Sequence, residues 1–515
     1  MSRTSRFSSG ARLACLAAAC TASAGPAFAQ DDNAGTSLTI YSSARPGAIP
    51  PELYRPVPGQ GSYFGQSVPG YAMVRQSAQF DLTRGRNRVN LTNVAAYIDP
   101  TTVRFESLTD PSTRVLEQGY QFDLVSSQKL MERYIDQVIT IDQQSANGLT
   151  QISGRLLTAD GTLVLAGDDG RIHSINDYSN IHFPELPGGL ITRPTLAWDL
   201  MANRAGTHQT RVSYQTTGIT WWADYNLTFE AGADENSGFL DVGAWVSVLN
   251  QSGASYDDAR LKLIAGDVNR IEPPGMPTRM RVEAFDTAAA DAAGFEERSF
   301  FEFHLYTLGR QTSIPNNSTR QIELFPALAR VPARKLLVYY GAMPYYTFGD
   351  RPMTDRDLGI PMNTKVDVYL EFDNDEESGL GIPLPAGRVR VSQLDESDDS
   401  LELIGENVIE HTPRDETVLL RLGSAFDVVG ERRQVNFEID TGSERMQETI
   451  EVTLRNHKTE PVEVIVKESL FRWATNDIVE ATHDYEREDS RTIHFPVTVA
   501  ADGDVVVRYR VRYTW

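Results

Sequence analysis

The chain has almost no cysteine, and its two cysteines both lie near the N-terminus. Among 515 residues, only Cys15 and Cys20 are cysteine. Residues 1–29 contain three arginines, an apolar run at 13–19 and the small-x-small triplet 27–29, which is the layout of a secretory signal peptide. Cleavage after residue 29 leaves an exported protein without disulfides, thiolate nucleophiles or Cys-ligated metals. A lipoprotein is the alternative, because the residues before Cys20 resemble a lipidation box.

The sequence also lacks long apolar runs and an excess of positive charge. No later segment approaches the roughly 18 consecutive apolar residues of a membrane-spanning helix. There are 48 Lys and Arg residues against 70 Asp and Glu, a formal net charge of -22. Loss of the three arginines in residues 1–29 takes this charge to -25. Such an acidic chain repels phosphate backbones, which argues against nucleic acid as a partner.

Familiar catalytic motifs are missing as well. The sequence contains no G-x-S-x-G elbow, no P-loop and no dinucleotide-binding glycine fingerprint. None of its eight histidines stands in an H-E-x-x-H or H-x-H arrangement. These observations favour a binding or scaffold protein over an enzyme and assign no catalytic residue. An envelope hydrolase with catalytic residues dispersed along the chain is the alternative.

What the sequence does contain is one short alternating apolar run after another. This pattern predicts a mostly β protein of antiparallel β-sandwich domains with few helices. Residues 127–135 show helical spacing of apolar residues, and five tight strands follow before residue 183. We therefore predict an N-terminal β domain at 30–126 and a short helix plus a small SH3/Sm-like barrel at 127–185. A C-terminal β-sandwich region follows, in two parts at 186–372 and 373–515.

Several motifs of the second half resemble a known family. They include Trp221-Trp222-Ala223-Asp224-Tyr225, the run 244–253, Arg432-Arg433, Leu470-Phe471-Arg472-Trp473 and the terminal residues 511–515. Together they resemble the large C-terminal domain, of unknown function, of mucoidy-inhibitor-A-like bacterial proteins. The likeness runs from about residue 193 to the C-terminus. It implies a β fold and a cell-envelope context, and it implies no catalytic residues. Many members carry a long coiled-coil hairpin where this chain has its short insert.

Tryptophans and an acidic run supply the candidate binding residues. Trp222 and Trp245 are candidate ligand-binding residues, since tryptophans stack on sugar rings. Trp221 and Trp222 should face opposite sides of a strand, so one of them belongs to the core. Asp373, Asp375 and Glu377 begin a run that resembles a calcium loop, although the glycine falls one place too late. Calcium is thus the one cofactor that the sequence suggests.

The C-terminal strand offers a further alternative. Residues 507–515 alternate apolar or aromatic side chains with arginines and end on an aromatic residue, as does the last strand of an outer-membrane β-barrel. An ordinary half-buried sandwich strand has the same pattern. The sequence therefore predicts an exported protein of the periplasm or cell envelope, without a transmembrane helix. Its expected partner is an envelope protein or a polysaccharide.

Overall fold

Strands make up most of the described chain. The computed structural model describes residues 35–41, 49–54, 68–145, 148–158, 162–188, 190–234, 236–266, 295–301, 303–342, 351–357, 363–395 and 397–515. The predicted signal peptide and both cysteines lie outside these residues. The described residues belong to one compact unit. Among them, no helix has the length and apolar character that crossing a membrane requires.

The first half of the described chain contains two short helices and fifteen strands. In chain order they are β1 (Thr36–Tyr41), α1 (Pro51–Tyr54), β2 (Tyr71–Leu82), β3 (Gly85–Thr92), β4 (Ile98–Ser107), β5 (Arg114–Gln121), α2 (Ser127–Arg133), β6 (Val138–Ser145), β7 (Gly148–Thr158), β8 (Leu163–Gly167), β9 (Ile172–Ile175), β10 (Asn180–His182), β11 (Thr195–Ala202), β12 (Gly206–Thr217), β13 (Ile219–Ala231), β14 (Ser237–Asn250) and β15 (Tyr256–Ala265).

The second half is described as strands alone. They are β16 (Phe295–Phe300), β17 (Phe303–Ile314), β18 (Ser318–Tyr340), β19 (Lys365–Asp373), β20 (Gly387–Asp395), β21 (Ser400–Ile409), β22 (Thr417–Asp440), β23 (Arg445–Asn456), β24 (Val462–Ser469), β25 (Asn476–Ala481), β26 (Glu486–Arg487), β27 (Thr492–Val499) and β28 (Asp504–Thr514). Their alternating burial matches the predicted half-buried strands.

Three sheets surround one large hydrophobic core, here called the first core. A seven-stranded sheet has the order β16-β17-β15-β1-β2-β12-β4, and a three-stranded sheet has the order β3-β11-β5. The third sheet follows the path β21-β20-β13-β14-β18-β19-β22-β23-β28-β25. The first core gathers buried residues from Leu38 to Leu420. Residues of the predicted N-terminal β domain and of the last predicted C-terminal part therefore pack in the same core.

The third sheet continues beyond the first core into a second one. The second core contains residues from Leu337 to Tyr513 and is covered on one side by β24, β27 and β26, of which β24 pairs with β18. On β19, Leu370 packs in the first core while Val366 packs in the second. The predicted boundaries at 126/127, 185/186 and 372/373 stay predictions, but the last falls at the end of a strand that lines both cores.

The insert has the predicted secondary structure. Helix α2 begins after Ser126, whose side chain accepts a hydrogen bond from the Lys129 backbone N–H at 3.2 Å. Five antiparallel strands follow in the order β10-β6-β7-β8-β9 around a small core that includes Tyr134 and Leu156. Within the described residues the two edge strands, β9 and β10, do not pair with each other, so the sheet is open and does not close into the expected barrel. These strands have only four and three residues, respectively.

The mostly β, sandwich-like fold class is confirmed. Antiparallel and mixed sheets pack face to face over shared cores, as alternating strands at short intervals require. For function, the important consequence is that the third sheet has a second face. Strands β20, β13, β14 and β18 turn one face to the first core and the other face outward.

Candidate functional site

Strand β13 places two adjacent tryptophans on opposite faces of the third sheet. Trp221 is buried in the first core, whereas Trp222 lies on the outward face. There Trp222 is covered by Ile49 and Val68, and its ring centroid lies 5.5 Å from that of Tyr54. The strand alternation predicted this division. Of the pair, Trp222 is the outward one and is 8% exposed, and its predicted role in ligand binding stays a prediction.

Asp224 follows Trp222 on the same outward face and is buried as well. Its Oδ2 accepts hydrogen bonds from Trp222 Nε1 at 2.7 Å and from Ser247 Oγ at 2.8 Å. Its Oδ1 accepts a hydrogen bond from Arg388 Nη2 at 3.1 Å. Burial alone would lower the pKa of Arg388, but hydrogen bonds with Tyr54 and Asp224 outweigh it and raise that pKa. The cluster is therefore an ion pair with satisfied hydrogen bonds, which is the condition for holding a carboxylate beneath a surface.

Trp245 stands next to this cluster and is exposed. In the sheet register it lies opposite Asp224 on one side and opposite Glu323 on the other. The residue is 39% exposed, in contrast to Trp222. Its indole N–H has no hydrogen-bond partner in the described part of the chain. Part of this side chain is consequently accessible from solvent.

Polar side chains flank Trp245 on the neighbouring strands. We call this surface the Trp245 face and define it by Asn226, Trp245, Gln321, Glu323, Arg388 and Arg390. Arg390 is held by Glu406, whose Oε1 accepts a hydrogen bond from Arg390 Nε at 2.8 Å. The face thus combines one accessible aromatic ring with positively charged, negatively charged and amide side chains.

A glycine leaves the surface beside the exposed ring without a side chain. Gly243 lies two residues before Trp245 on β14, on the same outward side and opposite Asn226. A Cβ built there would meet only the Asn226 carbonyl oxygen, at 3.6 Å. Room for a ligand edge therefore lies directly next to the ring. The arrangement is suited to stacking one face of a flat or saturated ring on Trp245 while donors and acceptors meet its rim.

The acidic run after β19 forms a turn that holds itself together. Asp373 Oδ1 accepts a hydrogen bond from Thr417 Oγ1 at 2.7 Å, and Asp375 Oδ1 accepts one from the Ser378 backbone N–H at 2.7 Å. Glu377 is exposed. The described residues contain no group of three or more His, Cys, Asp or Glu side chains that could hold a metal ion. Calcium binding at Asp373, Asp375 and Glu377 stays a prediction.

Buried charges also occur in the second core, where they pair with one another. Arg472 Nε donates to Glu448 Oε2 at 2.8 Å, and Arg432 Nε donates to Glu468 Oε2 at 3.0 Å. Each of the four side chains is at most 4% exposed. The two remaining Arg472 nitrogens donate to the carbonyl oxygens of residues 353, 355 and 356 and to the Gln434 side chain. All five guanidinium N–H groups are used, so this cluster is a structural one.

Sequence reasoning found the tryptophans but missed the polar residues around them. The outward position of Asp224 could have been predicted, because a residue two places after an outward-facing tryptophan lies on the same side of a strand. Arg388 and Glu323 come from strands far away in the sequence. Their positions depend on the parallel pairing of β13 with β20 and on the bulged register of β14 with β18, and no local pattern encodes either pairing.

No protein-family model, curated protein or solved structure matches the chain. A function must therefore be inferred from the residues and their geometry.

Proposed function

We propose that this chain is a non-enzymatic binding protein of the bacterial cell envelope that holds a polysaccharide on the Trp245 face. The observation that carries the proposal is the contrast between two neighbouring tryptophans on one sheet face. Trp222 is covered and hydrogen-bonded, while Trp245 is accessible and stands between fixed polar groups. An exposed tryptophan at the centre of an ordered polar surface is typical of a contact residue.

A polysaccharide is favoured by the chemistry of the face. A sugar ring has an apolar face of C–H groups and a rim of hydroxyls, so it can stack on an indole and hydrogen-bond around it. Arg388 and Arg390 supply donors, and Glu323 supplies acceptors. The two signs of charge balance locally, which fits a ligand without a large net charge. The chain's overall charge of -22 argues against a strongly acidic polymer.

The cell-envelope setting is supported by the sequence. Residues 1–29 have the layout of a signal peptide, and the remainder of the chain contains no cysteine. The resemblance of residues 193–515 to mucoidy-inhibitor-A-like proteins implies the same compartment, and we include membership of that family in the proposal. Fractionation of cells that express the full chain tests this part. Recovery of the protein in the cytosol, at full length, would contradict export.

Binding to purified peptidoglycan sacculi and to a soluble neutral glucan tests the ligand. We expect saturable binding by the wild type and about fivefold weaker binding by Trp245→Ala, since loss of a stacking contact is worth about 1 kcal/mol. Phe426→Ala is the matched control, because Phe426 is 95% exposed and lies outside the face. That variant should bind as the wild type does.

Three results would overturn the proposal. Equal binding by wild type and Trp245→Ala would remove the face from recognition. Binding to envelope proteins but to neither glycan would favour a protein scaffold. Release of soluble sugar fragments during incubation would instead support the hydrolase alternative.

A further inference from the structure

The outward side of β14 continues well beyond Trp245. Alternate residues of a strand share a side, so Gly243, Asp241 and Phe239 lie in line with Trp245. Asp241 is exposed and Phe239 is half-buried. Phe239 and Trp245 are six positions apart, a distance of about 20 Å along an extended strand. This line of residues is therefore much longer than one sugar ring.

An arginine stands over the far end of this line. The Cζ atom of Arg330 lies 4.0 Å from the centroid of the Phe239 ring, which is a cation–π contact. Arg330 Nη1 is 3.5 Å from Glu230 Oε2, and Glu230 lies opposite Phe239 in the sheet. The Arg330 side chain is nevertheless 59% exposed. The line thus has an aromatic ring at each end, and the ring at Phe239 carries an exposed guanidinium.

The backbone of Arg330 has a conformation that residues other than glycine rarely adopt. Its φ is 60°, in the left-handed region, where a Cβ is strained. Asp241 Oδ1 accepts a hydrogen bond from the Arg330 backbone N–H at 3.0 Å and so supports this conformation. The strain exceeds what an exposed cation–π contact returns, so the contact with Phe239 does not by itself account for the position of the guanidinium. Residues strained in this way cluster at ligand-binding sites.

Strand β18 is bulged along the same stretch. Its register with β14 shifts three times between Leu240 and Trp245, and each shift adds a residue to β18. Bulges occur often beside functional sites, where they redirect side chains. The exposed residues of the bulged part that precede Arg330 have short side chains, namely Pro326, Ala327 and Ala329. Such side chains can cover little of the outward side of β14.

We propose that Trp245 and Arg330 are the two ends of one elongated site, which binds an extended segment of several linked sugars. This inference rests on the polysaccharide proposed as the ligand of the Trp245 face, and it specifies that the ligand is an oligomer lying along β14 and not a single sugar. Trp245 stacks on one ring, and Arg330 donates hydrogen bonds to the hydroxyls of a distant unit. Polar groups for the units between them come from Asn226, Thr228 and Asp241.

Calorimetric titration of the full chain with sugar oligomers of increasing length tests the size of the site. The probes are two neutral series from monomer to hexamer, chito-oligosaccharides and oligomers of the soluble glucan. In the series that binds, the hexamer should bind about tenfold more tightly than the dimer, because only a long oligomer reaches both ends. Affinities that are equal from dimer to hexamer would overturn the elongated site and leave the Trp245 face in place as a binding surface.

Replacement of the arginine tests the far end. Arg330→Gln should weaken hexamer binding about fivefold and change dimer binding less than about twofold, whereas Trp245→Ala should weaken both. Arg510→Gln is the matched control, since the Arg510–Glu480 pair has a similar distance of 3.4 Å and side chains that are 43% and 66% exposed. That control, on β28, should bind both oligomers as the wild type does.

A second variant tests the same end without removing a charge. Phe239→Leu keeps an apolar side chain but removes the ring beneath Arg330, so hexamer binding should weaken about threefold and dimer binding should stay unchanged. Phe426→Leu is the control, at a residue that is 95% exposed. Unchanged hexamer binding in both Arg330→Gln and Phe239→Leu would overturn the inference, even where Trp245→Ala binds weakly. If the wild type binds neither oligomer series, the elongated site is overturned, and the assays with sacculi and glucan show whether the polysaccharide proposal fails with it.

Discussion

Two arginine–carboxylate clusters in this molecule have similar components but differ in their exposure to solvent: one is enclosed, and the other lies beside an exposed side chain. In the second core, Glu448 and Glu468 each accept hydrogen bonds from an arginine and a tyrosine, and all partners are enclosed. On the Trp245 face, Asp224 is bound in a similar way by Arg388 and a tryptophan, but an exposed ring stands beside it. In this chain, a buried ion pair therefore points to a function only where it supports an accessible group. The enclosed pairs hold the fold together, whereas the Asp224 pair supports a surface.

The largest effect is expected from breaking the enclosed cluster. Arg472→Ala should lower the free energy of unfolding by about 3–5 kcal/mol, because it leaves Glu448 as a buried charge without its arginine and removes the donors that hold residues 353–356. Urea unfolding measures the loss. Arg512→Ala is the matched control, since the Arg512–Asp477 pair has a similar 2.8 Å distance but side chains that are 39% and 64% exposed.

That control should cost less than about 1 kcal/mol, as exposed ion pairs do. Similar losses in the two arginine variants would show that enclosure does not distinguish the energies of these ion pairs. A loss of stability in Arg472→Ala with unchanged glycan binding, at a temperature where the variant is folded, would show that the enclosed cluster has no part in recognition.

The tyrosines of the enclosed cluster should make the protein sensitive to alkali. Burial raises the pKa of Tyr509 and Tyr513 well above the usual value, and the carboxylates of Glu468 and Glu448 raise it further. The folded chain therefore keeps protons that the unfolded chain loses above pH 10. Stability is fully present below that pH and falls as pH rises toward the folded-state pKa, by about 1.4 kcal/mol per pH unit for each tyrosine.

Urea unfolding between about pH 9 and pH 11 measures this slope. Tyr513→Phe should reduce the slope by the share of one tyrosine, while Tyr97→Phe, at a residue that is 59% exposed, should leave it unchanged. A slope that is the same in all three proteins would mean that Tyr513 ionises in the folded chain.

The sequence predicted the parts of this molecule that depend on local pattern. Alternation located most of the strands, and the helical spacing of apolar residues at 127–135 located α2. Alternation also separated Trp221 from Trp222. It could not show that Glu448 points into a core, because a glutamate in an alternating strand is normally assigned to the solvent side. Only the pairing of β23 with β28 brings Tyr513 and its hydroxyl within 3.1 Å of that carboxylate.

The site itself depends on pairings that have no local signature. Strand β20 joins β13 in parallel, more than 150 residues later in the chain, and this brings Arg388 to Asp224. Long-range register, and not composition, therefore decides which side chains meet.

The smallest effect on stability, and the most informative for function, is expected from Asp224→Asn. The amide oxygen still accepts from Trp222 and Ser247, but the amide nitrogen presents donors to Arg388, and the ion pair is lost. Because Arg388 is partly exposed, with 23% of its side chain accessible, water can hydrate it and the loss should be about 1–2 kcal/mol, well below that of Arg472→Ala. Arg388 would keep its hydrogen bond with Tyr54 but lose the carboxylate that holds it beside Trp245, so glycan binding should weaken about tenfold while the chain remains folded. Arg334→Ala breaks the Arg334–Glu371 pair, which is 2.8 Å long and lies away from the face, and should affect neither property appreciably. If Asp224→Asn binds glycan as the wild type does, the Asp224–Arg388 pair stabilises the sheet and has no part in binding. Its role would then be structural, like that of the enclosed pairs in the second core.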